Sequence, residues 1–164
     1  MELLNKTSKR VLVHHRVSEF FNERSERCAG ASETGGILIG AHRGPHLEVT
    51  GWTTPGPSDQ STYFSFVKQD VRHLRAARNA WKRKRGRETY IGEWHTHPIG
   101  IPKPSGTDIQ TWRHISKVRA AVSVFFLIAP SEWRVFLVDP VRPRVILPLA
   151  AIEIGEMGIV YGEK

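Results

Sequence analysis

The sequence predicts an α/β fold in which a mixed sheet of about six strands carries about three α-helices packed around it. Short apolar or alternating runs, each bounded by Gly, Pro or polar turns, recur along the chain as strands do. Three longer stretches place apolar residues at three- and four-residue spacing, as amphipathic helices do. No internal repeat, low-complexity segment or linker divides the 164 residues, so 1–164 is expected to be one domain.

Taken in order, residues 1–10 are polar and read as a lead-in, with a short strand at 11–13. Over 17–29, VSEFFNERSERCA sets Val17, Phe20, Phe21, Arg24 and Cys28 on one helical stripe and predicts the first helix, with Cys28 facing the core. The paired glycines Gly35 and Gly36 permit close packing or positive φ and run into an apolar strand at 37–39. HLEVTGWTT at 46–54 alternates as its partner through a turn at 43–45. PGPSDQ at 55–60 is turn-forming, and STYFSFV at 61–67 is a short aromatic segment, read as a surface loop with a following strand, or a flap. Residues 68–85 predict the second helix, with Val71, Leu74, Ala77 and Trp81 inward and Gly86 ending it. A strand is expected at 89–97 and a third helix at 105–118, with Ile109, Trp112, Ile115 and Ser116 inside. AVSVFFLI at 121–128 is apolar enough to be buried on both faces, with neighbours at 133–138 and 145–149.

Composition bounds the function. A 40% hydrophobic and 24% charged chain is that of a soluble globular protein, and its longest apolar run, 120–129, is interrupted by Ser123 and far short of the ~20 residues a membrane helix needs. No secretory signal is visible at the N-terminus. With one cysteine, Cys28, no internal disulfide can form, which fits a reducing compartment; cytoplasm is the expected location, with no membrane partner. The net charge is +8, from 24 cations against 16 acids. Eight of those cations, from Arg72 to Arg87, lie in 71–87 with no acid among them, so the whole excess is one local patch.

The chemistry concentrates in IGEWHTHPIGIPKPSGTD, residues 91–108. On a strand, His95 and His97 leave the same face about 6.6 Å apart, close enough to converge on one ion, while Trp94 and Thr96 face away. Pro98 ends the strand and a wide turn leads to Asp108, one turn into a helix that Ser105 would cap. Two imidazoles and a carboxylate are the three ligands a catalytic zinc uses when its fourth position is open. The same donors also admit iron, cobalt or manganese. Glu93 shares the strand face of His95 and is a conceivable general base.

His95-Thr-His97-Pro98, five residues, Pro104-Ser105, two residues and Asp108 match the H-x-H-P-x5-P-S-x-x-D signature, and the chain thereby resembles the JAB/MPN+ (JAMM) zinc isopeptidases. Glu33-x-Gly35-Gly36 before an apolar strand, about 60 residues upstream, resembles that family's catalytic glutamate segment, and the likeness runs from about residue 30 to 140. It implies a JAB/MPN fold with a mixed, mostly antiparallel sheet and the zinc site at a strand-turn-helix junction. It further implies one Zn2+ held by His95, His97 and Asp108 with a catalytic water, Glu33 as general base and acid, and Ser105 on the developing oxyanion. Compactness and the GEWHTHP strand resemble most the bacterial JAB deconjugating peptidases of type II CBASS antiphage operons. The implied reaction is cleavage of the amide or isopeptide bond after the extended C-terminal tail of a conjugated cGAS/DncV-like nucleotidyltransferase (CD-NTase), opposing an E1/E2-like enzyme of the same operon. A bacterial ubiquitin-like or sulfur-carrier protein is the alternative substrate.

Other classes compete. Eight clustered cations could bind nucleic acid, but no RNA-recognition aromatic pattern, zinc finger or Gly-x-x-Gly clamp accompanies them. A solvated face, or a dock at Arg83, Lys84 and Arg85 for an acidic protein substrate, is the favoured reading of the patch. A scaffold MPN module that only holds partners would have lost its ligands. A zinc deaminase would need a Pro-Cys-x-x-Cys pair, which one cysteine excludes.

Overall fold

A computed structural model describes residues 8–164; of the predicted lead-in at 1–10, residues 1–7 lie outside the described residues. The elements run β1 (Val11–His14), α1 (His15–Arg27), β2 (Gly35–Arg43), β3 (His46–Trp52), β4 (Gln60–Ser61), β5 (Phe66–Val67), α2 (Val71–Arg83), β6 (Thr89–Thr96), α3 (Gly106–Arg119), β7 (Ser123–Ala129), β8 (Glu132–Val138), β9 (Ile146–Ile154) and β10 (Gly158–Gly162). The α/β class, the three helices and the mixed, mostly antiparallel sheet are as the sequence predicts. The estimate of about six strands is corrected: eight close into a barrel in the order β1-β10-β9-β8-β7-β6-β2-β3, and β4-β5 form a separate hairpin. Among the described residues, only β1-β3 and β6-β7 pair in parallel. GIVYG, which forms β10, is too short and too glycine-flanked for its alternation to register as a strand, yet it pairs β1 from Val11↔Tyr161 to His14↔Gly158.

Alternation on the strands sorts side chains between two layers. Leu38, Ile91, Trp94, Val124, Phe126 and Ile128 join Val17 and Phe21 of α1 in the largest core cluster. The opposite face of β7 sends Phe125 and Leu127 against Trp112 of α3, so the prediction of burial on both faces holds. Ile37 and Ile39 meet Ala77 and Ala80 of α2. The α1 stripe also holds: Cys28 is buried, and the half-buried Arg24 lays its guanidinium 5.2 Å from the Phe20 ring centroid, a cation–π contact.

α2 departs from its predicted face. His73, Ala77 and Ala80 are buried, whereas Val71, Leu74 and Trp81 are 64%, 71% and 55% exposed. Asp70 caps the helix by accepting from the Arg72 N–H, and His73 is drawn inward to Asp59 and Thr53. Two alanines let the helix lie close on β2. Apolar spacing alone cannot register a helix turned by polar anchors and small residues.

The glycine pair proves to be a matter of room, since neither residue has positive φ. A Cβ on Gly35 would stand 2.5 Å from the Trp94 carbonyl oxygen and 2.9 Å from the Phe66 ring. One on Gly36 would stand 2.2 Å from the Thr53 carbonyl oxygen.

Candidate metal centre and catalytic cleft

β2 and β6 run antiparallel with Gly35 opposite His95. The pairing continues past the end of the strand, because the Thr96 N–H donates to the Thr34 carbonyl at 2.8 Å and the Thr34 N–H to Thr96 Oγ1 at 3.0 Å. That register carries Glu33 to a place across from His97, on the face that also bears His95. The His97 N–H donates to the Ile128 carbonyl at 2.7 Å, so the second histidine is held by the neighbouring strand although β6 ends at Thr96.

The turn after Pro98 delivers Ser105 and Asp108 back to these histidines. Ser105 caps α3 and forms a reciprocal capping box with Asp108: the Ser105 N–H donates to Asp108 Oδ2 at 2.7 Å and the Asp108 N–H to Ser105 Oγ at 3.1 Å. Such a box satisfies two helix-end donors at once, and here it also aims the carboxylate. Asp108 Oδ1 lies 2.9 Å from His95 Nε2, Asp108 Oδ2 lies 3.2 Å from His97 Nε2, and the two Nε2 atoms are 3.1 Å apart. Donors around a tetrahedral ion with bonds of 2.0–2.1 Å stand about 3.3 Å from one another, so the trio fits a small divalent cation. His95, His97 and Asp108 are the group with this property among the described residues.

Electrostatics agree with that arrangement. Burial would raise the Asp108 carboxyl, but hydrogen bonds to His95 and His97, the His95 charge and the Ser105 N–H hold it well below the usual carboxylate range. Burial raises the Glu33 carboxyl instead, against the pull of His95 and His97 and with the Asp108 charge adding to the rise. A carboxyl raised above its ordinary value takes up a proton more readily than a surface one.

Glu33, His95, His97, Ser105 and Asp108 all line one open cleft of about 900 Å³. Also lining it are Tyr63, Phe64 and Phe66 of the β4-β5 hairpin, residues read from sequence as a surface loop with a following strand, or a flap. The hairpin also holds Glu33 by its backbone: the Glu33 N–H donates to the Thr62 carbonyl at 2.7 Å and the Ser61 hydroxyl donates to the Glu33 carbonyl. The hint of this in the sequence was the density of aromatics within a polar stretch, which also suggested the flap.

Glu93 lies in the cleft, but its carboxylate pairs with the Lys68 ammonium and accepts from the Tyr90 hydroxyl at 2.9 Å. These contacts turn the Glu93 carboxylate to Lys68 and Tyr90, whereas strand register sets Glu33 across from His97, which favours Glu33 over Glu93 as the candidate base. Trp94 and Thr96 are buried on the other face, as expected. Arg83, Lys84 and Arg85 are exposed at the far end of α2 and do not line the cleft. Among the described residues no helix is long and apolar enough to cross a membrane.

A family model described as prokaryotic homologs of the JAB domain matches residues 23–139. Curated relatives named CD-NTase/cGAS isopeptidase include one from Escherichia coli, 37% identical over 82 residues that cover 50% of this chain and 53% of that protein. One from Vibrio cholerae is 41% identical over 81 residues, covering 49% and 52%, and one from Pseudomonas aeruginosa is 32% identical over 112 residues, covering 67% and 71%. The chain thus spans about half the length of the first two. Among solved structures, that of protein DSY2949 from Desulfitobacterium hafniense superposes with a TM-score of 0.54 at 18% identity over 79% of this chain and 84% of that one, a likeness of fold.

Proposed function

Because the chain belongs to the prokaryotic homologs of the JAB domain, we propose that it is a zinc-dependent isopeptidase that hydrolyses the amide or isopeptide bond after the C-terminal residue of a conjugated protein. The observation that carries this is the convergence of His95, His97 and Asp108 within about 3 Å of one another on the strand face that also bears Glu33.

His95, His97 and Asp108 would hold the ion. When bound, zinc supplies activation of a water and polarisation of the scissile carbonyl. Glu33 takes a proton from the attacking water and returns it to the leaving amine, so one carboxyl serves as base and then acid. Its backbone is fixed by Thr62 and Ser61. Ser105 Oγ accepts from Asp108 N–H, which leaves its own proton to donate to the developing oxyanion. No covalent enzyme intermediate is required.

The cleft favours an extended tail. Tyr63 and Phe64 of the hairpin and Ile99 of the turn are exposed and line the same cleft as the proposed metal ligands, giving it apolar jaws. The names of the relatives support a CD-NTase as the protein bearing that tail; a bacterial ubiquitin-like or sulfur-carrier protein would meet the same jaws. Pairing with an E1/E2-like enzyme in antiphage defence, and a cytoplasmic location, complete the proposal on the family resemblance. Arg83, Lys84 and Arg85 would dock the body of an acidic substrate. The exposed apolar side chains Val71, Leu74 and Trp81 on the same helix favour a protein there over nucleic acid.

The test is incubation of zinc-loaded protein, wild type and Glu33→Ala, with a CD-NTase carrying a C-terminal fusion, followed by mass spectrometry. Release at the native C-terminus by wild type alone is expected. Cleavage by Glu33→Ala at the wild-type rate would end the mechanism, and no cleavage by wild type would end the CD-NTase assignment.

A further inference from the structure

Thr53, His73 and Asp59 form a hydrogen-bonded chain outside the cleft. Thr53 Oγ1 and His73 Nδ1 share a hydrogen bond at 2.5 Å, and His73 Nε2 donates to Asp59 Oδ2 at 2.6 Å. The His73 and Asp59 side chains are 3% and 1% exposed. A serine-type triad shares this order of groups, but here Thr53 Oγ1 also accepts from the Ile37 N–H at 2.9 Å, so the hydroxyl links the chain to the backbone of β2.

What the chain connects is more telling than its resemblance to a triad. Asp59 stands immediately before β4, and its carboxylate accepts from Gly56 at 2.8 Å, Gln69 at 2.7 Å and Asp70 at 2.8 Å. Residues 69 and 70 follow β5, so one carboxylate ties both feet of the hairpin. Asp70 ties the same junction from the other side, accepting from the Ser58 N–H at 2.9 Å. At the other end of the chain, Ile37 belongs to β2, the strand that leads away from Glu33. The network therefore joins the base of the hairpin to the strand carrying Glu33, while Thr62 and Ser61 at its inner end grip Glu33 itself. Asp59 keeps its charge although buried: burial would raise its carboxyl, but the N–H groups of Gly56, Asp70 and Gln69 and the His73 ring hold it well below its ordinary value. A buried charge satisfied this fully ties down every group that satisfies it, because losing any one partner exposes the cost of desolvation.

We propose that Thr53, His73 and Asp59 are positioning residues that seat the β4-β5 hairpin and, through it, fix the backbone of Glu33. This rests on the reading of Glu33 as the general base for its catalytic consequence, but not for its structural one.

The experiment uses the full chain as Thr53→Val, which removes the hydroxyl at nearly constant shape, Thr53→Ser, which restores it, and Ser61→Ala, which cuts the exposed clamp without touching the buried network. Hydrogen exchange of peptides covering 31–36 and 60–67 is measured alongside metal content and cleavage of the CD-NTase fusion. Thr53→Val and Ser61→Ala are each expected to speed exchange at both peptides at least tenfold while exchange in β7 and the metal content stay unchanged, and Thr53→Ser is expected to stay near wild type. In turnover, Thr53→Val should lower kcat tenfold or more with KM within about twofold. Unchanged exchange in Thr53→Val, exchange that rises uniformly across the barrel, or a change confined to KM would overturn the proposal. If Thr53→Val does not fold, His73→Gln decides it by the same readout, with unchanged exchange at 31–36 and 60–67 as the contrary result. If wild type does not cleave the fusion, the substrate reading fails while the exchange measurement, which needs no substrate, still decides whether the network seats Glu33.

Discussion

Ser105 and Asp108 cap one another, N–H to carboxylate at 2.7 Å and N–H to hydroxyl at 3.1 Å, and the same Asp108 carboxylate meets both histidines. Helix initiation and the placing of a proposed metal ligand are thus one structure. Ser105→Ala should cost about 1 kcal/mol of stability from the cap, a fall in Tm of about 2–4 °C in a chain of this size. It should also lower kcat by about 10²–10³ if the hydroxyl stabilises the oxyanion. A calorimetric scan and steady-state kinetics separate the two, since a loss of Tm without a loss of kcat would leave Ser105 as a cap alone.

In the proposed mechanism, metal retention and proton transfer fall to different residues. His97→Ala should abolish stoichiometric zinc, read by mass spectrometry of the metal, and with it the rise in Tm expected of zinc-loaded wild type. Glu33→Gln should keep the metal and lower kcat by about 10²–10⁴, the range of a lost general base.

Gly35→Ala tests the close approach of β2 to β6. Its Cβ would meet the Trp94 backbone oxygen and the Phe66 ring, and backbone cannot step aside as a flexible side chain would. A cost of about 1–3 kcal/mol follows from overpacking, with the hairpin lifted off the cleft. Thermal unfolding and the hairpin's exchange rate report both effects.

Asp59 makes an acid-dependent contribution to stability. Its folded pKa lies below the ordinary 3.8, so the unfolded chain binds the proton first as pH falls. The stabilisation is complete above about pH 4 and is lost as pH drops through the folded pKa. The Tm difference between wild type and Asp59→Asn should therefore be largest near neutrality and shrink below pH 4; a difference that grows on acidification would contradict the assignment.

Charge reversal at Arg83, Lys84 and Arg85 should raise KM for an acidic protein substrate and leave kcat and metal content unchanged. The rise should diminish at high salt, where exposed charges are screened. Kinetics identical to wild type would return these residues to a solvated surface.

The candidate site was legible because its ligands are close in sequence. His95, His97, Ser105 and Asp108 lie within one strand, one turn and the start of one helix, whose rules are local. Glu33 was legible only through the family resemblance, since no spacing rule links it to His97; strand pairing does that. The misreading of α2 has the opposite origin. Leu74 and Trp81 are strong local signals for an inward face, but Asp59 and Thr53, distant in sequence, claim His73 and turn the helix. Glu93 looked eligible as a base for the same reason, because Lys68 and Tyr90 could not be seen beside it. The barrel's closure escaped because it depends on the register between β1 and β10, residues from opposite ends of the described chain.

That closure governs the order of assembly. β1 is the seam, pairing β10 on one side and β3 on the other, so the ring cannot be completed until residue 162 is available. Pairing across so long a loop is slow relative to local contacts. The strand, turn and helix that carry His95, His97 and Asp108 lie entirely between these ends and can form while the seam is still open. Refolding should accordingly show protection of the amides in α3 and β7 before those of β1 and β10, and a metal ion present early would find its ligands gathered before the barrel has shut.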